Sequence, residues 1–316
     1  MNLNKILKGA AFAGLTIAAT SANAGISTTA YLELNDLFVE IDTDNDLVPE
    51  NVNPLDFITI IGGSRGTNTF ANYNGSTDGS EISSADAEFD ADSLLVCQGP
   101  SCGVLGLTNN GQSLDNGQLV ASDMYHFAAA DAQVSGSALG DGASGFTYAD
   151  ISIAYGNQES AAASSGIVNS INTVIQFTIA QAINLRFSAL IDYFVDAVIS
   201  TDIADDNTQD ATASAKVTLD LSLQGGPNGV VDIDGADGFA RSDISFDFPG
   251  FGDLISFSGN DEQFLSGWAT VGPGVYQLNI NQTSEVQASL VPAPTSLAVA
   301  ALGLLGLCFT ARRKKS

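Results

Sequence analysis

The sequence predicts an all-β protein, a jelly-roll-like or other antiparallel β-sandwich placed between a cleaved signal peptide and a C-terminal single-span helix. Three observations carry this. β-Branched and aromatic residues come in short runs separated by Gly, Asn, Asp and Ser, the chemistry of strands split by turns. Within runs, apolar and polar residues alternate, as at Ile151, Ile153 and Tyr155, which puts one face of a strand in a core. No segment repeats at a fixed period, which argues against a solenoid or propeller and for a sandwich.

The first element is an export signal over residues 1–24. Lys5 and Lys8 precede an apolar run at 9–19, and Ala22-Asn23-Ala24 forms an A-x-A cleavage site for signal peptidase. That run is well short of the ~17 residues needed to span a bilayer, so the mature chain is expected to start at Gly25.

The body is residues 25–290. Candidate strands lie at 30–41, 55–61, 93–97, 118–128 and 145–155. Others follow at 173–180, 185–200, 215–223, 243–248, 254–257, 275–280 and 285–290. Between them, 62–92 is built of Gly, Asn, Ser, Thr and Asp and 156–166 of Ala and Ser, so both are expected to be surface loops. Apolar density rises after Leu119, which would fit a domain boundary near residue 115; one domain with a loose N-terminal part to about residue 115 is the preferred reading.

One run supports two readings. Asn184, Ser188, Asp192, Asp196 and Ser200 recur four apart, opposite Ile191, Phe194, Val195 and Val198, as on an amphipathic helix. Leu185, Phe187, Ala189, Ile191, Tyr193 and Val195 also alternate, and strand formers dominate. The strand reading is adopted.

Charge is unevenly placed. Six of the ten basic residues lie in the end segments, which contain no acid. Arg65, Arg186, Lys216 and Arg241, four cations against thirty-six acids, leave the body at −32. Such a surface repels nucleic acid and anionic membranes and attracts cations. Solubility in salty water, where screening acts within about 8 Å, is the plainer reading.

Cys97 and Cys102 close the loop CQGPSC, with Gly99 and Pro100 at its turn, and fit a disulfide in an oxidising compartment. A cysteine metal site is disfavoured: no second Cys pair exists, and His126 is the only histidine. Catalysis is not expected. His126 reads as a half-buried strand residue, and no G-x-S-x-G elbow, phosphate loop or dinucleotide fingerprint is present. Carboxylate pairs are plentiful, but Trp268 is the only tryptophan, which is poor supply for a sugar cleft.

Calcium is the one cofactor the residues suggest. Asp42, Asp44 and Asp46 alternate in DTDNDLVPE, with Glu50 beyond; Leu47 and Asn53 at the sixth and twelfth positions exclude an EF-hand. Asp232, Asp234 and Asp237 in VDIDGADG form a second acidic turn, the better candidate of the two. The plainer reading of either is a turn held by Asx-type bonds.

The last element is 291–316, VPAPTSLAVAALGLLGLCFTARRKKS. A Pro-x-Pro at Pro292 and Pro294 precedes an apolar run at 295–311, then Arg312, Arg313, Lys314 and Lys315. As a helix the run spans ~25 Å, the short end of membrane length, and the cations hold the tail in the cytoplasm; the order of parts alone also fits a plain single-span membrane anchor. Cys308 lies inside this run and reads as packing.

This ending resembles the PEP-CTERM sorting signal of Gram-negative bacteria, with Ala293 where the family usually has Glu. The likeness implies export, a transient membrane helix, and processing near Val291 and Pro292 by exosortase, a membrane-bound cysteine transpeptidase. Residues 177–193, FTIAQAINLRFSALIDY, are similar to a hairpin of PEP-CTERM sandwich domains. The strand after Gly272-Pro273-Gly274 is similar to their final strands, and residues 156–161 faintly resemble the EDSAP subgroup. Together these imply a non-catalytic surface or extracellular-matrix protein at the outer surface of the cell or beyond it, with exopolysaccharide a candidate partner. The alternative is a secreted calcium- or carbohydrate-binding β module.

Overall fold

The protein's structure is a computed structural model that describes residues 25–86, 90–110, 126–154, 159–167, 173–199, 209–227, 229–231, 233, 239–242, 246–247 and 255–292. Among these the chain is almost wholly strand, apart from one 3-10 turn at Pro54–Asp56. No helix among them is long and apolar enough to cross a membrane.

Among the described residues sixteen strands form two antiparallel sheets. Sheet I runs β14 (Ile255–Leu265), β9 (Ile183–Ile199), β1 (Gly25–Asp42), β6 (Gly142–Ala154), β5 (Phe127–Ser137), β4 (Ala91–Gln98), with β15 (Ala269–Val271) also on β9. Sheet II runs β11 (Gly229–Val231), β10 (Gln209–Gly225), β16 (Gly274–Pro292), β7 (Glu159–Ile167), β2 (Ile58–Tyr73), β3 (Ser76–Ser84). β8 (Thr173–Ile179) joins β16 and β2, while β12 (Phe239–Ser242) and β13 (Phe246–Asp247) pair with β10.

The sheets face each other across one apolar core. Sheet I contributes Leu32, Ile151, Leu185 and Phe187, and sheet II contributes Phe177, Val217, Leu219 and Leu278. Phe177 stacks on Tyr276 at 5.8 Å between ring centroids. Truncating such a buried phenylalanine costs about 3–5 kcal/mol. Some polar groups inside this core find partners: Thr67 bonds Ser93 and Thr147 bonds Ser284, both at 2.8 Å. Gln282 Nε2 donates to the Leu32 carbonyl at 2.7 Å.

The contested run is a strand. β9 lies between β1 and β14, with Leu185, Phe187, Ala189, Ile191, Tyr193 and Val195 buried toward the core. Its four-residue polar spacing is a multiple of the strand period, so Asn184, Ser188, Asp192 and Asp196 share the opposite face.

Several expectations are corrected. Residues 62–92 hold most of β2, all of β3 and the start of β4 rather than a loop. Their signal was Asn74-Gly75, the two-residue turn between paired Tyr73 and Ser76, with φ of 49° and 83°. The Ala/Ser stretch holds β7, an interior strand between β16 and β2. Its small side chains let the sheets approach, with Ala161 and Ala163 in the core.

Residues 177–193 are not a hairpin, because β8 belongs to sheet II and β9 to sheet I. The strands expected at 275–280 and 285–290 are one continuous strand, β16. The part before residue 115, expected to be loose, supplies β1 inside sheet I and β2 inside sheet II. Of the strand expected at 118–128, only the stretch from His126 lies within the described residues, and β5 starts at Phe127.

Candidate metal centre

Where β1 ends, the backbone must turn and its amides lose their ladder partners. Asp42 takes them up. Its Oδ1 accepts the N–H groups of Asp44 at 3.1 Å and Asn45 at 2.8 Å, and its Oδ2 accepts that of Leu47 at 3.0 Å. Asn184, the cross-strand neighbour of Asp42 on β9, adds a side-chain N–H to Oδ2 at 2.9 Å. Thr270 in turn donates to Asn184 Oδ1 at 2.6 Å and fixes the amide's orientation. Asn45 and Leu47 adopt left-handed φ of 65° and 63°, which aims these amides inward.

Burial opposes the Asp42 charge, but the bonds from Asn184, Leu47 and Asn45 outweigh it and hold the carboxyl below the usual range. Asp44 moves the other way. An N–H from Asp46 favours its charge, yet desolvation and the neighbouring Asp46 and Asp42 carboxylates together raise it.

Asp42, Asp44 and Glu50 each present a carboxylate oxygen within 4.8 Å of the others. Glu50 is tied back by Thr43, whose N–H and hydroxyl donate to Oε1 at 3.1 and 2.7 Å. Asp46, expected to converge with Asp42 and Asp44, is not in this group; its Oδ1 accepts the Val48 N–H at 2.8 Å. Three hard anionic oxygens, with Asp42 buried, Glu50 half-buried and Asp44 exposed, suit a calcium ion better than a soft metal. A shallow groove lined by Phe38, Glu40, Glu50, Val52, Pro54 and Asp141 adjoins the turn. On the same outer face Arg186 pairs with Glu40 and sits 4.7 Å over the Trp268 ring.

Other candidates fall elsewhere. Asp232, Asp234 and Asp237 lie outside the described residues, as do Ala22, Ala24, Pro294, Arg312 and Arg313; Val291 and Pro292 end β16. Cys97 and Cys102 are joined as a disulfide, with Cα atoms 5.7 Å apart. Gly99 in that loop has φ of 121°, and a Cβ there would lie 2.4 Å from the His126 carbonyl oxygen, so only glycine fits.

Sequence reasoning missed the partners of His126. Its Nδ1 lies 3.1 Å from both the Tyr73 hydroxyl and the Glu159 carboxylate, bridging sheet I to sheet II. Burial and the Glu159 charge push the Tyr73 hydroxyl up. Nothing local announces this trio, since its members are more than thirty residues apart in sequence.

No known family model matches the chain, and no curated protein matches it significantly.

Proposed function

We propose that this chain is an exported, non-catalytic surface or extracellular-matrix protein whose C-terminal segment is a removable sorting signal processed by an exosortase-type enzyme. One observation carries the reading: the order Pro-x-Pro, barely membrane-long apolar run, cationic cluster in residues 291–316. The fold is compatible with it. The last described pairing of β16 is Gln209 with Pro292, so a cut just beyond that residue leaves every described strand whole. Mass spectrometry of the mature protein tests the proposal. A C-terminus near Pro292 is expected, together with loss of that processing on deletion of residues 312–315; a mature protein retaining Arg312 and Arg313 refutes it.

A second reading, a calcium-binding β module, is favoured by the convergence of Asp42, Asp44 and Glu50. Extracellular modules of this type bind at ~10⁻⁴–10⁻³ M. Melting followed during calcium titration should show a rise that Glu50→Gln removes. A flat titration up to about ten millimolar would dismiss the site.

A further inference from the structure

The outward face of sheet I carries a buried acidic row. Cross-strand register sets Asp196 of β9, Thr29 of β1 and Asp150 of β6 side by side, while Asp131 of β5 pairs with Tyr148 two residues along. Asp196, Asp150 and Asp131 are 9%, 1% and 0% exposed. Asp150 accepts hydroxyl bonds from Thr29 at 3.0 Å and Tyr148 at 2.8 Å. Asp131 accepts the Asn110 N–H at 2.8 Å through Oδ2, but its Oδ1 has no partner, and neither has Asp196 Oδ1.

No cation among the described side chains faces this row. Arg65 lies between the sheets on the Gly136 carbonyl, Arg186 pairs with Glu40, and Lys216 belongs to sheet II. The titratable groups around it are Tyr31 and Glu33 on β1, Asp92 on β4, Tyr148 on β6, Asp192 on β9, and Asp261 and Glu262 on β14. All are acids or phenols. Burial pushes Asp131 and Asp150 up to about 7 and Asp196 to about 6, with Asp92 adding to Asp131 and Asp196 to Asp150.

Above the row lies an aromatic cluster of Tyr31, Phe127, Phe146, Tyr148 and Phe194, with Leu105 and Leu107 packed on it. The segment bearing those leucines is fastened by the Cys97–Cys102 disulfide at one end and, at the other, by the Asn110 N–H on Asp131, the Asn109 and Asn110 side-chain amides on Asp92 and the Leu95 N–H on Asn109. Between these anchors, residues 103–110 contain no ionisable side chain.

We propose that residues 103–110 form a proton-gated flap over this aromatic face, shut while Asp131 and Asp150 are neutral and released when they ionise. The physical reason is the poverty of donors. An ionised Asp131 beneath the flap is favoured only by the backbone N–H groups of Asn110 and Ala132, its Oδ1 meets no side-chain donor and no cation, and the cost of burying that charge outweighs the burial of two half-covered leucines. Lifting the flap lets water reach that oxygen and exposes the aromatic row. The disulfide lies outside the moving part and keeps the flap's near end in place.

Amide exchange on the full oxidised protein, corrected for the intrinsic pH dependence, tests this. Protection of 103–110 should fall about ten-fold or more from about pH 5 to about pH 8, while β1 and β9 amides keep theirs. Asp131→Asn should make the flap's protection independent of pH. Unchanged wild-type protection, or an equal fall in Asp131→Asn and Asp150→Asn, overturns the proposal. Should a variant fail to fold, an NMR titration of the wild type decides: flap amide signals that move with the same midpoint as the Asp131 carboxyl carbon support the flap, and flap amides that do not follow that carboxyl refute it.

Discussion

Asp42 and Asp150 are both buried aspartates of sheet I, yet their carboxyls move in opposite directions. Asp42 stands where β1 ends and the backbone turns, so three main-chain N–H groups are free to point at it, with the Asn184 amide as a fourth donor. Asp150 stands in mid-strand, where most neighbouring amides are committed to the ladder. Chiefly two hydroxyls remain, and desolvation wins. Burial alone therefore does not set ionisation in this protein; the supply of unspent donors does.

The largest test of that contrast is the pH dependence of stability. The native state holds the Asp150 proton up to about 7 against 3.8 for the free group, so it binds protons more tightly than the unfolded chain. Its contribution is fully present below about pH 4 and is lost as pH rises to about 7, about 4 kcal/mol in all. Urea unfolding of Asp150→Asn should lose that slope and gain on the wild type at about pH 8. Parallel profiles for the two proteins would break the comparison.

Next in size is the cross-link beside the acidic row. Cys97→Ser with Cys102→Ser should cost about 2 kcal/mol by loop closure, read from the same unfolding curves. An unaltered midpoint would mean that the packing of Leu105 and Leu107, not the bridge, holds this segment.

Asp42→Asn should show the reverse pH sense. The depressed carboxyl of Asp42 stabilises above the ordinary aspartate range and loses that contribution as pH falls. The variant should be weaker near neutrality and approach the wild type in acid. A deficit that persists in acid would assign the role of Asp42 to shape rather than charge. The smallest effect is calcium's: at about ten times its dissociation constant a site at Asp42, Asp44 and Glu50 adds about 1.4 kcal/mol.

Strands with apolar alternation were legible from the chain alone. β1, β6, β9, β10 and β16 each bury one side in the core, and of these the β9 run also fitted a helical spacing. The Asp42 turn was legible as well, because Asx chemistry acts over a few residues. Most of β2, with β3 and β7, was not. Ser, Asn, Gly and Ala carry little strand preference of their own, and β7 is a strand because β16 and β2 flank it.

What the sequence by itself determined is therefore the local alphabet: an all-β body with an acidic surface, and turn residues such as Asn74-Gly75. Tertiary structure alone decided which sheet each strand joined, and so which charges meet. Asn184 reaches Asp42 from 142 residues away, and Thr29 reaches Asp150 from 121. Such meetings depend on cross-strand register, which long-range pairing fixes and no local pattern encodes.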